Sequence, residues 1–358
     1  MKKLATLSLV MLMLLSLLLG CGGNPNGAAS QTQTGSDVKQ TLTVLNWGDY
    51  IDEELLDVFK SEYPNITIDY QVVPNNEEML VLLEQGGYDV AFPSDYIIER
   101  LIQKDMLAPI DHAKITNFDG IIDFCKDQAF DPGNEYSIPY MWGTLGILYN
   151  KTMVDEPVDS WNILWDEKYE KKIYMYDSIR DSMTVALKKL GYDVNTRVES
   201  EIEAAGQALI DQKPLVLAYL GDPVKDKMIS ENAALAVVYS GDAAYCMMEN
   251  ENLDYIVPKE GSNLWFDNMV IMKESQSVEA AHLFIDFLCR DDVALQNTEY
   301  IGYTTPVQNA YDNVPEELKN NAYMPREEDI ENCEIFHDLG DTLEIYNKIW
   351  IKVKSVAG

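Results

Sequence analysis

The fold is decided by residues 41–106, which read TLTVLNWGDYIDEELLDVFKSEYPNITIDYQVVPNNEEMLVLLEQGGYDVAFPSDYIIERLIQKDM. Short β-branched runs typical of strands alternate there with segments in which apolar residues recur at helical spacing. The predicted strands cover residues 41–47, 66–73 and 88–92, and the predicted helices cover residues 52–63, 75–85 and 96–106. Three strand–helix units in succession predict an α/β fold with a parallel or mixed sheet.

Ligand sites of open α/β sheets lie where strands end and helices begin. Positions of this kind combine aromatic rings with carboxylates, and their candidate residues are Trp47, Asp49, Tyr50, Ser94, Asp95, Tyr96, Asp177, Asp181, Trp265 and Asp267. Asp177 and Asp181 stand four residues apart and are predicted to share a helix face. A ring face attracts an ammonium group and carboxylates accept its hydrogen bonds, so these positions predict a site for a linear polycation. The alternative for each position is structural: the ring closes a core edge and the acid caps a helix.

Composition and charge argue against some classes of function. The chain has 358 residues, 47% of them apolar, and 60 acidic against 27 basic side chains give a net charge of -33. This length and apolar content predict two domains, or one large one, with sizeable cores. The negative charge argues against nucleic acid and against docking on anionic lipid, because both require basic surfaces. Charged small partners are expected to be cations, although charge of this sign also serves solubility alone.

The N-terminus has the pattern of an exported lipoprotein. Lys2 and Lys3 precede an uncharged, leucine-rich stretch over residues 4–19, which is typical of a signal peptide. The stretch ends in Leu-Leu-Gly-Cys, which resembles the bacterial lipobox and predicts lipidation of Cys21 after removal of residues 1–20. Residues 21–40 are rich in Gly, Ser, Thr, Asn and Gln and are predicted to form a flexible tether. We expect an extracytoplasmic protein, anchored to the outer face of the bacterial cell membrane or periplasmic; the alternative is an ordinary signal peptide.

Catalytic and metal-binding motifs are missing from the sequence. It contains no G-x-S-x-G, H-E-x-x-H or P-loop pattern and no C-x-x-C, and its three histidines are scattered. We therefore predict no enzyme activity, no metal and no cofactor. The spacing of Cys125, Cys246, Cys289 and Cys333 does not decide whether disulfides form. Cys289 follows an apolar helical pattern, which predicts a free, buried thiol.

Six segments, in order along the chain, carry a resemblance to a known family. They are residues 46–50 (NWGDY), 88–94 (YDVAFPS), 136–143 (YSIPYMWG), 187–192 (LKKLGY), 258–267 (PKEGSNLWFD) and 301–306 (IGYTTP). These segments resemble the spermidine/putrescine-binding proteins of polyamine ABC importers. The likeness extends from about residue 41 to residue 311, and six segments in register make it specific.

The resemblance implies a type II periplasmic-binding-protein-like fold. In that fold two α/β lobes are joined by crossing hinge strands and close over a ligand in the cleft between them. On this pattern lobe 1 holds residues 41–142 plus 266–311, and lobe 2 holds residues 143–265 plus 312–358. The resemblance also implies a monomer whose partners are an ABC permease in the membrane and a cytoplasmic ATPase.

The resemblance assigns roles to single residues. Ligand positions of the family are matched by Trp47, Asp49, Tyr50, Ser94, Tyr96, Asp181, Trp265 and Asp267. Two positions depart from the family: Ser178 replaces an aspartate, so that Asp177 or another acid could substitute, and Tyr239 replaces a tryptophan. Residues 332–337 also lack the family's glutamine contact. The choice among putrescine, spermidine and a related cation stays open.

The sequence therefore predicts a non-catalytic, lipid-anchored receptor that binds a polyamine and delivers it to an ABC importer. Two alternatives remain at this point. One is a receptor of the same fold for another small cation or a metal complex. The other is a surface interaction lipoprotein that does not use its cleft for transport.

Overall fold

The structure is a computed structural model of the chain, and it describes residues 39–356. The predicted signal peptide (residues 1–20), the predicted lipidation of Cys21 and almost all of the predicted tether lie outside the described residues. None of the helices between residues 39 and 356 combines the length and apolar character that a membrane span requires.

The strands and helices alternate along most of the chain. The strands are β1 (Gln40–Trp47), β2 (Ile66–Val73), β3 (Val90–Ala91), β4 (Ser137–Asn150), β5 (Ile173–Tyr176), β6 (Val216–Leu220), β7 (Leu235–Tyr239), β8 (Leu253–Ile256) and β9 (Leu264–Ile271). The helices are α1 (Glu53–Glu62), α2 (Asn76–Gln85), α3 (Asp95–Gln103), α4 (Ile179–Leu190), α5 (Glu199–Gln212), α6 (Val224–Ile229), α7 (Ser240–Glu249), α8 (Val278–Leu288), α9 (Asp291–Ile301), α10 (Gln308–Asn313), α11 (Glu327–Ile330) and α12 (Leu343–Ser355). Short 3-10 helices occupy several of the connections.

The strands form a mixed sheet. Their order is β2-β1-β3-β9-β4-β7-β5-β6, and β8 pairs with β4. Within the first half β1 lies parallel to β2 and β3, whereas β9 is antiparallel to β3 and β4. The long strand β4 pairs with β9 over residues 137–144 and with β7 over residues 145–149. One strand therefore runs through both halves of the sheet.

The apolar core is divided in the same way. One cluster of buried side chains comes from residues 42–142 and 264–310. A second cluster comes from residues 145–237 and 339–353, and a third comes mostly from residues 148–255. Strand β4 contributes to the first cluster before Gly143 and to the second after it. The lobe boundaries that the resemblance implied stay a prediction.

Local sequence signals correctly predicted where several strands and helices begin or end. The predicted strand over residues 66–73 is β2, and the predicted cap Asn75 accepts a hydrogen bond from the Glu78 backbone N–H at the start of α2. Gly86 ends α2 with φ of 81°, a conformation that favours glycine. Helix α3 ends at Gln103, before the predicted residue 106, because Asp105 adopts a left-handed conformation with φ of 56°.

The cysteines of the described range are unpaired. Cys125, Cys246, Cys289 and Cys333 are all free thiols, and the first three are buried. The prediction of a free, buried thiol at Cys289 is confirmed. Burial raises the pKa of the Cys246 thiol to about 12, which keeps this side chain in its neutral, unreactive form.

Candidate functional site

A buried carboxylate on β9 forms the centre of the site. Asp267 Oδ2 accepts a hydrogen bond of 2.8 Å from the Tyr50 hydroxyl, and Oδ1 accepts one of 2.6 Å from the Ser94 hydroxyl. The Asp267 side chain is 8% exposed, and burial raises its pKa to about 6 despite these two bonds. Its polar partners within the described residues are thus neutral hydroxyls rather than a cation.

Two strand ends position these hydroxyls. Ser94 precedes α3, and its backbone forms an isolated antiparallel bridge to Asp267 on β9. The Ser94 hydroxyl also accepts a 2.9 Å hydrogen bond from the Asn76 amide, which leaves its own proton for Asp267. Tyr50 follows the turn after β1, and the ring of Tyr140 packs edge-on against it at 5.4 Å between centroids. Both donors are therefore held in place by neighbours that are themselves fixed.

A row of aromatic rings extends from this carboxylate. Tyr50 packs against Tyr303 at 5.6 Å, Tyr303 against Trp265 at 5.4 Å, and Trp265 against Tyr239 at 5.9 Å between ring centroids. Tyr176 continues the row at 4.8 Å from Tyr239, and all of these contacts are edge-to-face. The Trp265 indole N–H is buried and finds no hydrogen-bond partner between residues 39 and 356. These rings are hereafter the aromatic row, and the contact between Trp265 on β9 and Tyr239 on β7 joins the two halves of the sheet.

A second buried carboxylate lies at the other side of the row. Asp181 stands in the first turn of α4 and accepts a 2.9 Å hydrogen bond from the Tyr239 hydroxyl through Oδ2. Its Oδ1 is buried and has no hydrogen-bond partner in the described part of the chain. Burial raises the pKa of Asp181, whose side chain is 3% exposed. An unpartnered oxygen of this kind is a natural acceptor for an N–H donor.

The neighbouring guanidinium does not neutralise Asp181 by direct contact. Arg180 donates to the His337 carbonyl at 3.1 Å and to Asn195 Oδ1 at 2.9 Å, and it stacks on the Phe336 ring at 4.1 Å. Its side chain is therefore engaged with the C-terminal segment. Asp181 Oδ1 receives none of these hydrogen bonds.

Other predicted site residues lie near the same strand ends. The Trp47 indole N–H, at the end of β1, is buried and has no partner among the residues described. The Tyr96 hydroxyl lies 3.4 Å from Glu77, and the Tyr96 ring lies 6.2 Å from that of Phe336. An unsatisfied indole N–H and a partly buried tyrosine ring are compatible with ligand contact, but neither residue contacts Asp267 directly.

Three predicted acids do not join the two central carboxylates. Asp95 is fully buried, and its oxygens accept hydrogen bonds from the backbone N–H groups of Tyr96 and Phe266, so it ties α3 to β9. Asp49 is exposed in a left-handed turn after β1, with φ of 51°. Asp177 lies on the surface, where Lys354 Nζ is 2.6 Å from its Oδ1.

The predicted shared helix face of Asp177 and Asp181 is wrong. Ser178 is the N-cap residue of α4, so Asp177 precedes the helix and Asp181 belongs to its first turn. The spacing of four residues has its helical meaning only when both residues are inside the helix. The cap, a serine that accepts from the Asp181 backbone N–H, is the local feature that separates the two acids.

Two residues of the site were missed by sequence reasoning. Tyr303 is a member of the aromatic row, and its pKa is raised by burial and by the charge of Asp242 in the first turn of α7. The Asp242 carboxylate is 3.4 Å from Lys225 Nζ. Gly241 makes room for Tyr303, because a Cβ at this position would meet the tyrosine ring. The sequence contained a signal for Asp242, because Tyr239 and Asp242 repeat the ring-and-carboxylate pattern at the end of β7.

The part of the chain that the structure describes offers no alternative metal site, and a surface cavity found there lies apart from the aromatic row. Over residues 39–356, His, Cys, Asp and Glu side chains form no group of three or more that could hold a metal ion. A surface cavity of about 330 Å³ is bordered by Val158, Lys259 and Arg326, and none of its lining residues belongs to the aromatic row.

Comparison with known families gives two matches. Residues 87–333 match the family described as bacterial extracellular solute-binding protein. Residues 26–119 match a family described as hypothetical lipoprotein of the MG045 type. The first match covers more than half of the chain, including Asp181, Trp265 and Asp267.

Individual relatives are similar over nearly their whole length. The spermidine/putrescine-binding periplasmic protein of Escherichia coli K12 is 34% identical over 89% of this chain and 93% of its own. A spermidine/putrescine ABC transporter structure from Listeria monocytogenes is 41% identical with a TM-score of 0.83, over 88% of this chain and 99% of that one. The structure of the PotD substrate-binding protein from Streptococcus pneumoniae is 40% identical with a TM-score of 0.79 over the same shares.

Proposed function

Because this chain belongs to the bacterial extracellular solute-binding proteins and has their two-lobe α/β fold, we propose that it captures a polyamine between its lobes for an ABC importer. The ligand is putrescine or spermidine, the compounds for which its relatives are named. One observation carries the proposal: Asp267 is a buried carboxylate beside Trp265 and Tyr50, with hydroxyls as its partners and a pKa raised by burial.

The chemistry of the site fits protonated amines. A carboxylate removed from water without a cation is costly, and a ligand ammonium compensates that cost through charge-assisted hydrogen bonds. Asp267 and the unpartnered Oδ1 of Asp181 are the two acceptors available for such groups. The rings of Trp265 and Tyr239 lie between them and offer apolar surface to a methylene chain and π-faces to its charged ends.

Ligand binding is coupled to closure of the lobes. Asp267 belongs to the half of the sheet that contains β1, whereas Asp181 and Tyr239 belong to the half that contains β7. A dication that contacts both carboxylates binds the closed form more tightly than the open one, and this difference drives closure.

The remaining partners follow from this function. We place the protein at the outer face of the cell membrane, held by a lipid on Cys21, where it delivers its cargo as a monomer to a permease driven by a cytoplasmic ATPase. The match to a lipoprotein family supports the anchor. Binding and closure are sufficient for this role, so we propose no catalytic activity. Substitution of Cys21 by serine is expected to release the protein from the membrane fraction and to abolish labelling by radioactive palmitate.

Titration calorimetry tests the proposed ligand class. Putrescine or spermidine is expected to bind the purified protein with one site and a Kd of about micromolar or below, because paired charges are desolvated in the closed cleft. The matched control is 1,4-butanediol, which keeps the length of putrescine and lacks both charges; it is expected not to bind. Failure of both amines to bind below about millimolar would contradict the proposal.

Polyamine affinity is expected to weaken in acid, by about tenfold for each pH unit below about 6. Asp267 has a pKa of about 6 when no ligand is bound, so below that pH the carboxyl must lose a proton before it can pair with an ammonium. Burial also raises the pKa of Asp181, so the loss of polyamine affinity in acid becomes steeper. Calorimetry in two buffers of different ionisation enthalpy measures the number of protons released when the ligand binds. We expect this number to be close to zero at about pH 7.5 and to approach one or more at about pH 5. Equal affinities at both pH values would be inconsistent with this account.

A further inference from the structure

A third buried carboxylate lies at the aromatic row, and it differs from the other two. Asp242 is 4% exposed, and it follows Gly241, where a Cβ would meet the Tyr303 ring. The Tyr303 ring contacts both Trp265 and Tyr50, so this carboxylate is one residue removed from the centre of the site. Lys225 Nζ lies 3.4 Å from Asp242 Oδ1, a direct contact with a cation that neither Asp267 nor Asp181 has among the described residues.

The charges at the row can be counted from these contacts. Asp267 is bonded to two hydroxyls, and Asp181 is bonded to one and keeps a free oxygen. Asp95 requires no cation because its oxygens accept from two backbone N–H groups. Asp242 forms an ion pair with Lys225, and Asp222, which also faces this lysine, is exposed to solvent. Two buried carboxylates therefore lack a compensating contact, and a third has one from within the chain.

We propose that Lys225 neutralises Asp242 and thereby makes this protein selective for diamines over triamines. This inference rests on the proposed polyamine function and adds the number of charges that the cleft accepts. A diamine places one ammonium at each uncompensated carboxylate. A triamine brings a third ammonium, which must either remain unpaired in a buried site or approach Asp242 against the repulsion of Lys225. Selectivity of this kind arises from a repulsive element as much as from attractive contacts.

The test compares putrescine with spermidine on the purified wild-type protein and on the Lys225→Gln variant. Wild type is expected to bind putrescine more tightly. Lys225→Gln frees Asp242 as a third acceptor and is expected to shift the ratio of the two dissociation constants about tenfold toward spermidine. The double variant Lys225→Gln with Asp242→Asn is expected to return this ratio to the wild-type value, because it removes the freed acceptor.

The matched control is Lys227→Gln. Lys227 is exposed on the same helix, α6, so this variant makes the same change in net charge without touching Asp242, and its ratio is expected to equal that of wild type. A wild-type preference for spermidine would overturn the inference, and so would a shift in Lys225→Gln no larger than that in Lys227→Gln. If Lys225→Gln does not fold, the Asp242→Asn variant takes its place in the test. It leaves Lys225 uncompensated and is expected to weaken the binding of spermidine more than that of putrescine. Equal weakening of the two would overturn the inference. Binding of neither amine to wild type would contradict the proposed function instead.

Discussion

Replacement of Asp267 by asparagine is expected to weaken polyamine binding by about a hundredfold or more. The variant keeps the size of the side chain and can still pair with the hydroxyls of Tyr50 and Ser94, but it offers no charge to a buried ammonium. Loss of one member of a buried, hydrogen-bonded charge pair costs on the order of 2–5 kcal/mol, more than loss of any contact with a single ring. Calorimetry with putrescine and spermidine measures the change.

The same variant is expected to stabilise the ligand-free protein at neutral pH. Burial raises the pKa of Asp267 to about 6, above its ordinary value of 3.8, so the folded state favours the protonated acid. The stability that this group contributes is present in acid and is lost as the pH rises through about 6. Asparagine removes that loss, and we expect the free energy of unfolding to rise by about 1–2 kcal/mol at neutral pH.

The control for both effects is Asp57→Asn on the exposed surface of α1. It makes the same change in net charge and is expected to alter neither affinity nor stability. Denaturant unfolding of the ligand-free proteins completes the comparison. If Asp267→Asn bound putrescine as tightly as Asp57→Asn does, the central role of Asp267 would be wrong.

Substitution of Gly261 by alanine is expected to destabilise the fold by about 3–4 kcal/mol. Gly261 has φ of 83°, a conformation that costs other residues energy, and a Cβ there would overlap the backbone carbonyl of Asn332. The strand segment that follows depends on this close approach. Ser262 O accepts from Glu334 N at 2.9 Å, and Leu264 N donates to Glu334 O at 3.0 Å, so displacement of residues 332–334 breaks both bonds.

Urea unfolding compares this variant with Gly221→Ala. Gly221 has an ordinary backbone conformation and open space around its Cβ position, so its substitution is expected to change the free energy of unfolding by less than about 0.5 kcal/mol. Because the segment around Glu334 leads to the Phe336 ring that stacks on Arg180, the Gly261 variant is also expected to bind polyamine more weakly. Equal stability of the two glycine variants would show that the contact with Asn332 relaxes without cost.

Local sequence patterns determined the elements that surround the site. Helix caps, glycine stops and β-branched runs act within a few residues, so β2, α1 and α2 could be predicted almost to their ends. The occurrence of a ring and an acid at strand ends also follows from the sequence alone, as does the family, through segments that keep their order. For the same reason Trp265 and Asp267, two residues apart on β9, could be predicted to share one face of the strand.

Which acids are free to bind a cation was decided only by the tertiary structure. Asp95, Asp177 and Asp242 resemble Asp267 in the sequence, since each stands near an aromatic residue at a strand end. Their partners are Phe266, Lys354 and Lys225, and the first two of these lie more than 170 residues away along the chain. Burial and charge compensation depend on such distant contacts, and no local pattern encodes them. The sequence by itself therefore determined where acids and rings occur, whereas folding determined which carboxylates remain buried without a cation.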